Sequence, residues 1–247
     1  MSGEHQRHPA EEPEGPWVGL HDQVLSRVGR DLAHGRLSAG AVLSLEQLSA
    51  RYAASRTVVR EVVKVLESLR MLSSRRRVGI TVRPLEEWNV FDPLVIRWRL
   101  DGPDRPAVLR SLSELRMAAE PAAAALAAVR ATPEQCGALT SAVIGMSVTG
   151  RARDLEAYLG HDQEFHRTVL AASGNEMLRA LAQIVDEVLA GRTHHDLMPA
   201  RPRAAAIRLH ADVSDAIAGG DAAAAEKAMR AIVAEAMSAV EEASTDG

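Results

Sequence analysis

The segment Ala54–Leu66, ASRTVVREVVKVL, decides how the first part of the chain folds. Ser55 is a favoured helix N-cap residue, and the apolar residues that follow recur at helical spacing: Val59, Val62, Val63, Leu66 and Leu69. Arg56 and Arg60 lie four residues apart in the first turns, where the positive end of the helix dipole repels them. A solvated helix face is one explanation of such a pair. Nucleic acid is the other, because phosphate and guanine groups would satisfy both the arginines and the helix amides.

The residues on either side of this helix indicate a complete module. Upstream, apolar residues at helical spacing predict a helix within residues 20–37, and Ser44–Gln47 has the pattern of a capping box that begins a short second helix. Downstream, Met71–Arg83 has β-favouring residues around Arg75–Arg77, which predicts a two-stranded ribbon with a basic tip. Three short helices followed by a basic ribbon are typical of a winged helix-turn-helix, so DNA is the favoured partner of the arginines.

The charged residues are segregated along the chain. The whole sequence has 29 Lys and Arg against 33 Asp and Glu, a net charge of −4. Residues 44–83 contain nine Lys or Arg and three Glu, a net charge of +6, so the remaining residues carry −10. This division indicates a basic nucleic-acid-binding module joined to an acidic one.

The composition excludes several other classes of protein. A single cysteine, Cys136, excludes an internal disulfide framework. The first 16 residues are polar and contain proline, which predicts a disordered tail and no secretory signal. The longest alanine-rich run, Pro121–Val129, is far shorter than the roughly 20 residues of a membrane span. We therefore expect a cytoplasmic protein without a membrane partner.

Three motifs of the module follow one another: Ser44-x-x-Gln-Leu48, then SRTVVRE at Ser55–Glu61, then a leucine-rich helix and a glycine-bearing wing. Together they resemble the amino-terminal domain of the GntR family of bacterial transcription regulators over most of residues 18–84. The resemblance implies that a defined set of side chains contacts operator DNA, from the third helix and the wing tip: Ser55, Arg56, Thr57, Arg60, Arg76 and Arg77. Such modules gain specificity by pairing, so we expect a homodimer on a palindromic, double-stranded operator.

Two residues depart from the family pattern. Glu46 stands where the family commonly has a DNA-contacting Arg, and we expect it to repel phosphate. Arg70 stands where the family has a helix-ending Gly, and we expect the backbone to be strained where the third helix ends at this residue.

The rest of the chain predicts a second, helical domain. Residues 85–104 contain two tryptophans and end in Gly and Pro, as a packed linker would. Beyond them helical periodicity predicts helices and no strand, over 105–130, 133–146, 155–172, 176–189, 203–217 and 222–243. The predicted fold class is mainly α. We expect a disordered tail (1–16), a winged helix-turn-helix domain (17–84), the linker (85–104), and an all-helical bundle for effector binding and dimerisation (105–247).

Four polar residues of the helical domain are candidates for binding a metal or a ligand. Asp162 and His166 are four residues apart and share a helix face, and His210 lies on the inward face of another helix. One carboxylate and two imidazoles suit a divalent transition metal, although a local hydrogen bond and a core histidine are equally ordinary explanations. Arg116 precedes Glu120 by four residues, so it is either a ligand-binding arginine or half of a helix-surface ion pair.

The order of ELRMAAEPAAAALAA, DQEFHRTVLAASGNEML and LHADVSDAIAGGDAAAAEKAMRAIV is similar to the FCD ligand domain of the FadR subgroup. The resemblance implies that Asp162, His166 and His210 bind a metal such as zinc or nickel, beside which a small carboxylate effector binds. Arg116 would hold the effector carboxylate. The family's last histidine is replaced by Ile232, which leaves three protein ligands. In the segment EEWNVFDPLVIRW and in the loss of this histidine, the chain resembles those members of the subgroup that respond to sugar acids such as galactonate or gluconate. In the family, binding of the effector more commonly releases the operator, as in a repressor.

Other interpretations stay open at this point. Two histidines and a carboxylate also form the site of non-haem iron oxygenases, so a metal-dependent enzyme is an alternative, against which the attached DNA-reading domain counts. A regulator of another organic acid or of an acyl compound is a second alternative. A DNA-architectural protein is a third, and it would leave the acidic helical domain unexplained. Asn175 is interpreted as a helix cap, and His194 and His195 as residues of a loop, solvated or lying over the pocket.

Overall fold

A computed structural model describes residues 19–194 and 202–245, with side chains to residue 239. The chain divides into two compact units: residues up to 32 together with 37–88, and residues 33–36 together with those from 89 onward. The predicted tail (1–16) and His195 lie outside the described residues.

The first unit contains the three predicted helices, α1 (Leu20–Ala33), α2 (Leu45–Tyr52) and α3 (Arg56–Ser68). The predicted capping box begins α2, because Ser44 Oγ accepts from the Gln47 amide while the Gln47 side chain accepts from the Ser44 amide. Ser55 caps α3 by accepting from the Val58 amide at 3.3 Å. The predicted apolar face of α3 is buried: Val59, Val62, Val63, Leu66 and Leu69. The helix caps and the apolar periodicity of the sequence therefore account for the helix-turn-helix.

The wing is a three-stranded antiparallel sheet rather than the predicted two-stranded ribbon. Strands β2 (Leu72–Arg75) and β3 (Gly79–Val82) form the ribbon, and β1 (Val42–Leu43) pairs with the other edge of β3. Two residues are too few to show a strand periodicity, so β1 could not be read from the sequence. Arg76 and Arg77 lie at the exposed tip, and the Val78 amide closes the turn onto the Arg75 carbonyl at 3.1 Å.

The end of α3 carries the strain expected at Arg70. This residue has φ of +60°, in the left-handed region where a Cβ atom is disfavoured by about 1–2 kcal/mol. The Met71 amide donates to the Leu66 carbonyl at 2.9 Å, as in glycine-ended helices. The turn therefore has the hydrogen bond and the backbone conformation of a glycine-ended helix, although Arg70 takes the place of the glycine.

The second unit is all-helical in the part of the chain that the structure describes, as predicted. Its helices are α4 (Pro93–Leu100), α5 (Arg105–Arg130), α6 (Pro133–Ala152), α7 (Leu155–Ala172), α8 (Glu176–Ala180), α9 (Ala182–His194), α10 (Ala204–Ala218) and α11 (Ala222–Thr245). A 3-10 turn at Leu85–Glu87 precedes them within the first unit. The segment expected as a linker contains α4, and the helix expected over 176–189 is divided into α8 and α9.

Helix α5 packs against α7, α10 and α11, and α7 also packs against α6 and α9. The Thr132 capping box begins α6, and Asn175 caps α8 by accepting from the Met177 and Leu178 amides. The bundle encloses a large apolar core in which Phe165, Val169 and Met229 are fully buried. Among the described residues, no helix is both long and apolar enough to span a membrane.

Candidate functional site

Five ionisable side chains meet inside the bundle. Arg116 and Glu120 come from α5, Asp162 and His166 from α7, and His210 from α10, and each is between 1% and 7% exposed. Ionisable groups are rarely buried to this degree unless they are paired or hold a ligand. The structure thus brings together the four predicted polar positions and adds Glu120.

Asp162, His166 and His210 present three ligand atoms that lie within 4.8 Å of one another. His210 Nε2 is 3.1 Å and His166 Nε2 is 3.6 Å from Asp162 Oδ1. Ligand atoms around a tetrahedral zinc ion, at its usual bond lengths, are about 3.4 Å apart. Asp162 Oδ1 and His210 Nε2 are buried, and no aligned hydrogen bond satisfies either atom. The spacing and the unsatisfied donor atoms both fit a shared divalent cation.

The outer nitrogen of each imidazole is held by the protein. His210 Nδ1 lies 2.8 Å from the Ala206 carbonyl oxygen, which can only accept, so this nitrogen carries the proton. His166 Nδ1 lies 2.6 Å from Glu120 Oε2, in an ion-pair contact without hydrogen-bond alignment. When each ring is protonated at Nδ1 only, its Nε2 lone pair faces Asp162. Such outer contacts are typical of metal-binding histidines, where they fix the ring and its tautomer.

Arg116 forms the ion pair with Glu120 that its spacing allowed. Arg116 Nε donates to Glu120 Oε1 at 2.5 Å, and Nη2 lies 3.4 Å from Oε2. Burial alone would raise the pKa of the Glu120 carboxyl, but Arg116 and His166 outweigh it and lower the pKa to about 2. Arg116 Nη1 is buried and has no partner. The two interpretations of Arg116 are therefore compatible, because the paired arginine keeps one N–H group free for a ligand.

Asp162 is held in its charged form by its neighbours. Burial works against the carboxylate, but the interaction with His210 and the charges of His166 and Arg116 lower the pKa of Asp162 well below its ordinary range. A charged oxygen is the form that binds a metal. Phe165 packs edge-on against both imidazoles, with its ring centroid 4.8 Å from that of His210 and 5.7 Å from that of His166, and restricts both rings.

Ile232, where the family has its last histidine, is a buried residue of the bundle core on α11.

Two other residues near the cluster were missed in the sequence. Glu120 was considered only as a partner of Arg116, and its contact with His166 depends on how α5 packs on α7. Arg192 lies at the end of α9, beyond the helix predicted to 189, and interacts electrostatically with Arg116 and Asp162. Its spacing from Val185 and Val188 would have placed it on the inward helix face.

The predicted DNA-contacting side chains are exposed on the first unit. Ser55, Arg56, Thr57 and Arg60 lie along the start of α3, and Arg76 and Arg77 lie at the wing tip. Glu46 has a role that the sequence did not show, because its Oε1 lies 3.2 Å from Arg56 Nη2. This carboxylate is expected to compete with phosphate for Arg56.

In the helical unit, His194 lies 3.2 Å from Glu156 Oε1 at an exposed position at the end of α9.

A winged helix-turn-helix with an exposed basic third helix, joined to a helical bundle with a buried polar site, is the architecture of a DNA-binding transcription regulator. Comparison with known proteins identifies the family. The family model "Bacterial regulatory proteins, gntR family" matches residues 20–82, and the "FCD domain" model matches residues 111–235. The chain belongs to the GntR family of bacterial transcription regulators and carries an FCD domain.

Individual relatives agree with this assignment. The chain is 32% identical over 162 residues to the "Galactonate operon transcriptional repressor" of Escherichia coli K12, covering 65% of this chain and 70% of that protein. It is 28% identical over 210 residues to the "Probable D-xylose utilization operon transcriptional repressor" of Paenarthrobacter nicotinovorans, covering 84% and 82%. The solved structure of Lar, which controls expression of the Listeria monocytogenes agr system, has a TM-score of 0.59 at 17% identity, over 92% of this chain and 99% of that one.

The likeness to Lar shows the fold alone, because the identity is low. The matched families and relatives are transcription regulators, which confirms the prediction that the chain is not an enzyme.

Proposed function

We propose that the chain is a repressor that binds a palindromic operator as a homodimer and releases it when a sugar acid binds the FCD domain. Arg56 and Arg60 on α3, with Ser55 and Thr57, would contact the operator, and Arg76 and Arg77 would enter a neighbouring groove. The exposure of these side chains and the family assignment support this proposal. Two recognition helices related by a two-fold axis would read the two half-sites.

A divalent metal, zinc or nickel, would be held by Asp162, His166 and His210. The observation that carries this proposal is the buried set of three facing ligand atoms. Asp162 Oδ1 and His210 Nε2 have no aligned hydrogen bond, and His166 Nε2 has only a long one, from Arg116 Nη2 at 3.5 Å. When bound, the metal would attract carboxylate and hydroxyl oxygens of a ligand as a Lewis acid. Because Ile232 contributes no ligand atom, at least one coordination position would be open to the effector or to water.

The effector would be a small polyhydroxy carboxylate such as galactonate or gluconate. Arg116 Nη1, buried and without a partner, would donate to the carboxylate. Glu120 keeps the guanidinium fixed, so Arg116 would lose little conformational freedom on binding. The relative named as a galactonate operon repressor supports the sugar-acid class. The relative named for D-xylose utilization supports a neutral sugar instead, so the two ligands must be compared directly.

Calorimetry of zinc binding tests the metal centre. We expect chelator-sensitive uptake by the wild type and its loss in His166→Ala. His194→Ala is the matched control, since His194 is exposed and lies outside the cluster. Equal zinc uptake by His166→Ala and the wild type would show that these residues do not form a common site.

Titration of the zinc-loaded protein with galactonate, gluconate and D-xylose tests the effector class. We expect the sugar acids to bind and to require zinc, and Arg116→Gln to weaken them by roughly 10- to 100-fold, the usual strength of a charge-assisted hydrogen bond. Tighter binding of D-xylose than of either acid would contradict the proposal.

Sedimentation tests the assembly. We expect about twice the chain mass of 26.5 kDa, both free and on operator DNA. A strictly monomeric protein on a symmetric operator would contradict it.

A further inference from the structure

Arg192 is a cation without a partner beside the effector site. It lies on α9 one turn beyond the buried residue Val188, and its side chain is half-buried. Its Nε atom is inaccessible to solvent and has no hydrogen-bond partner. No ion pair to Arg192 is formed within the part of the chain that the structure describes, whereas Arg167 and Arg97 on the same bundle both pair with acidic residues of α9.

Arg192 shares its surroundings with a second guanidinium. Burial, and then the like charge of Arg116, lower the pKa of Arg192, while the charges of Asp162 and Glu235 act in the opposite direction. Each arginine has one buried nitrogen without an acceptor: Nη1 in Arg116 and Nε in Arg192. Two neighbouring cations with unused buried donors form an anion-binding arrangement.

The charges around the proposed effector site indicate how many negative charges a ligand should have. Arg116 and Arg192 carry +2, and Glu120 and Asp162 carry −2. Glu235 is also near, but Arg203 lies 3.8 Å from its Oε1 and offsets it. The proposed divalent metal adds +2, so the loaded pocket has a net charge of +2. A monocarboxylate would leave one positive charge uncompensated in a buried site, whereas a dianion would leave none.

We infer that Arg192 is a specificity-determining residue that binds a second anionic group of the effector. The preferred ligand class is then a sugar acid with two anionic ends. The carboxylate at one end binds at Arg116 and the metal, and the anion at the other end binds at Arg192. This inference rests on the proposed function, because the metal and the Arg116 contact are part of the charge count.

Calorimetry with matched ligand pairs tests the inference on the zinc-loaded protein. Galactonate and galactarate differ by one carboxylate, and gluconate and 6-phosphogluconate differ by one phosphate, so the two pairs distinguish the possible second anions. We expect at least one of galactarate and 6-phosphogluconate, which have a second anionic group, to bind the wild type roughly 10- to 100-fold more tightly than its monoanionic partner, as a charge-assisted contact should give. Arg192→Gln should remove this advantage and leave the monoanion within about threefold of its wild-type affinity. Arg192→Lys should restore part of it.

Arg179→Gln is the matched control, because Arg179 is exposed on the neighbouring helix α8, and it should leave both affinities unchanged. Thermal unfolding separates a ligand-binding role from a structural one. Arg192 Nε has no hydrogen-bond partner and the like charge of Arg116 opposes the attraction of Asp162, so Arg192→Gln should not lower the melting temperature of the zinc-loaded protein in the absence of sugar acid. A lower melting temperature with an unchanged ligand preference would overturn the inference.

The outcomes distinguish this inference from the proposed function. If the sugar acids bind in a zinc-dependent way but a second anionic group gives no advantage, the inference about Arg192 is wrong and the proposed function stands. If Arg192→Gln weakens both members of a pair equally, Arg192 does not select the second anion, and the inference is again wrong. If no sugar acid binds the zinc-loaded protein, both are wrong.

Discussion

Glu120→Gln should be one of the most damaging conservative substitutions in the helical unit. Gln has the shape of Glu and keeps one acceptor oxygen, but it removes the charge that Arg116 Nε and Nη2 and His166 Nδ1 face. All three groups are buried, so water cannot replace the lost carboxylate. Breaking a buried ion pair by neutralising one partner usually costs about 3–5 kcal/mol, because it leaves an uncompensated charge.

The pKa of Glu120 gives a second measure of this loss. It falls from 4.5 to about 2, and at 1.36 kcal/mol per pKa unit this corresponds to about 3 kcal/mol of interaction that favours the charged form. The two figures agree, so we expect Glu120→Gln to lower the free energy of unfolding of the helical unit by about 3 kcal/mol. We also expect weaker zinc binding, by about 10- to 100-fold, because His166 loses the carboxylate that orients its ring.

Urea unfolding followed by far-UV circular dichroism measures the first effect. Because the chain has two compact units, the urea curve is fitted with a separate transition for each unit. Glu226→Gln is the matched control: Glu226 also pairs with an arginine four residues away, Arg230, at 2.7 Å, but this pair is exposed. The control should cost less than about 1 kcal/mol. Equal costs for the two variants would refute the reasoning, since burial would then contribute nothing.

Three further predictions concern DNA, metal and the end of α3. Arg56→Ala or Arg60→Ala should weaken operator binding by roughly 1–3 kcal/mol per half-site if the side chain contacts a base, and should mainly reduce the salt dependence if it contacts phosphate. Anisotropy titrations at several salt concentrations would measure both effects, and unchanged affinity would return these residues to a solvated surface. Ile232→His should raise zinc affinity and the zinc-dependent shift in melting temperature, provided that α11 directs this position at the three ligands. Calorimetry that shows no gain would place Ile232 outside the site. Arg70→Gly should raise the free energy of unfolding of the first unit by about 0.5–1 kcal/mol, because glycine adopts the φ of +60° without strain. Destabilisation by this change would mean that the Arg70 side chain contributes more than its backbone costs.

Local signals predicted most of the helices. The capping box at Ser44 and the caps at Ser55 and Asn175 lie in the sequence next to the groups they bind, and all three occur in the structure. Helix α4 begins with a cap signal as well, because Asp92 accepts from the Leu94 amide and Pro93 is the first helical residue, but the helix was not predicted. Its apolar residues Leu94, Val95, Ile96, Trp98 and Leu100 lie on all sides, so no amphipathic period marks it.

The candidate site could be predicted only in part, for a physical reason. Asp162 and His166 share one helix face, which spacing alone shows, whereas their approach to His210 came from the family resemblance. The partner of a side chain across helices depends on packing. Glu120 was paired with Arg116 because both lie on α5, and its second contact, with His166, required the packing of α5 on α7. Arg192 was missed because α9 continues to His194, past the predicted end at residue 189.

The central claim is that an acid bound at the Asp162, His166 and His210 cluster controls the operator. It is tested most directly by the release of a fluorescent operator duplex, selected from random DNA, on addition of galactonate or galactarate. We predict that the zinc-loaded protein releases the duplex as acid is added, that chelation abolishes this response without abolishing DNA binding, and that His166→Ala behaves like the chelated wild type. Release that is unchanged by chelation and by His166→Ala, or no release by either acid, would contradict control of the operator from this cluster.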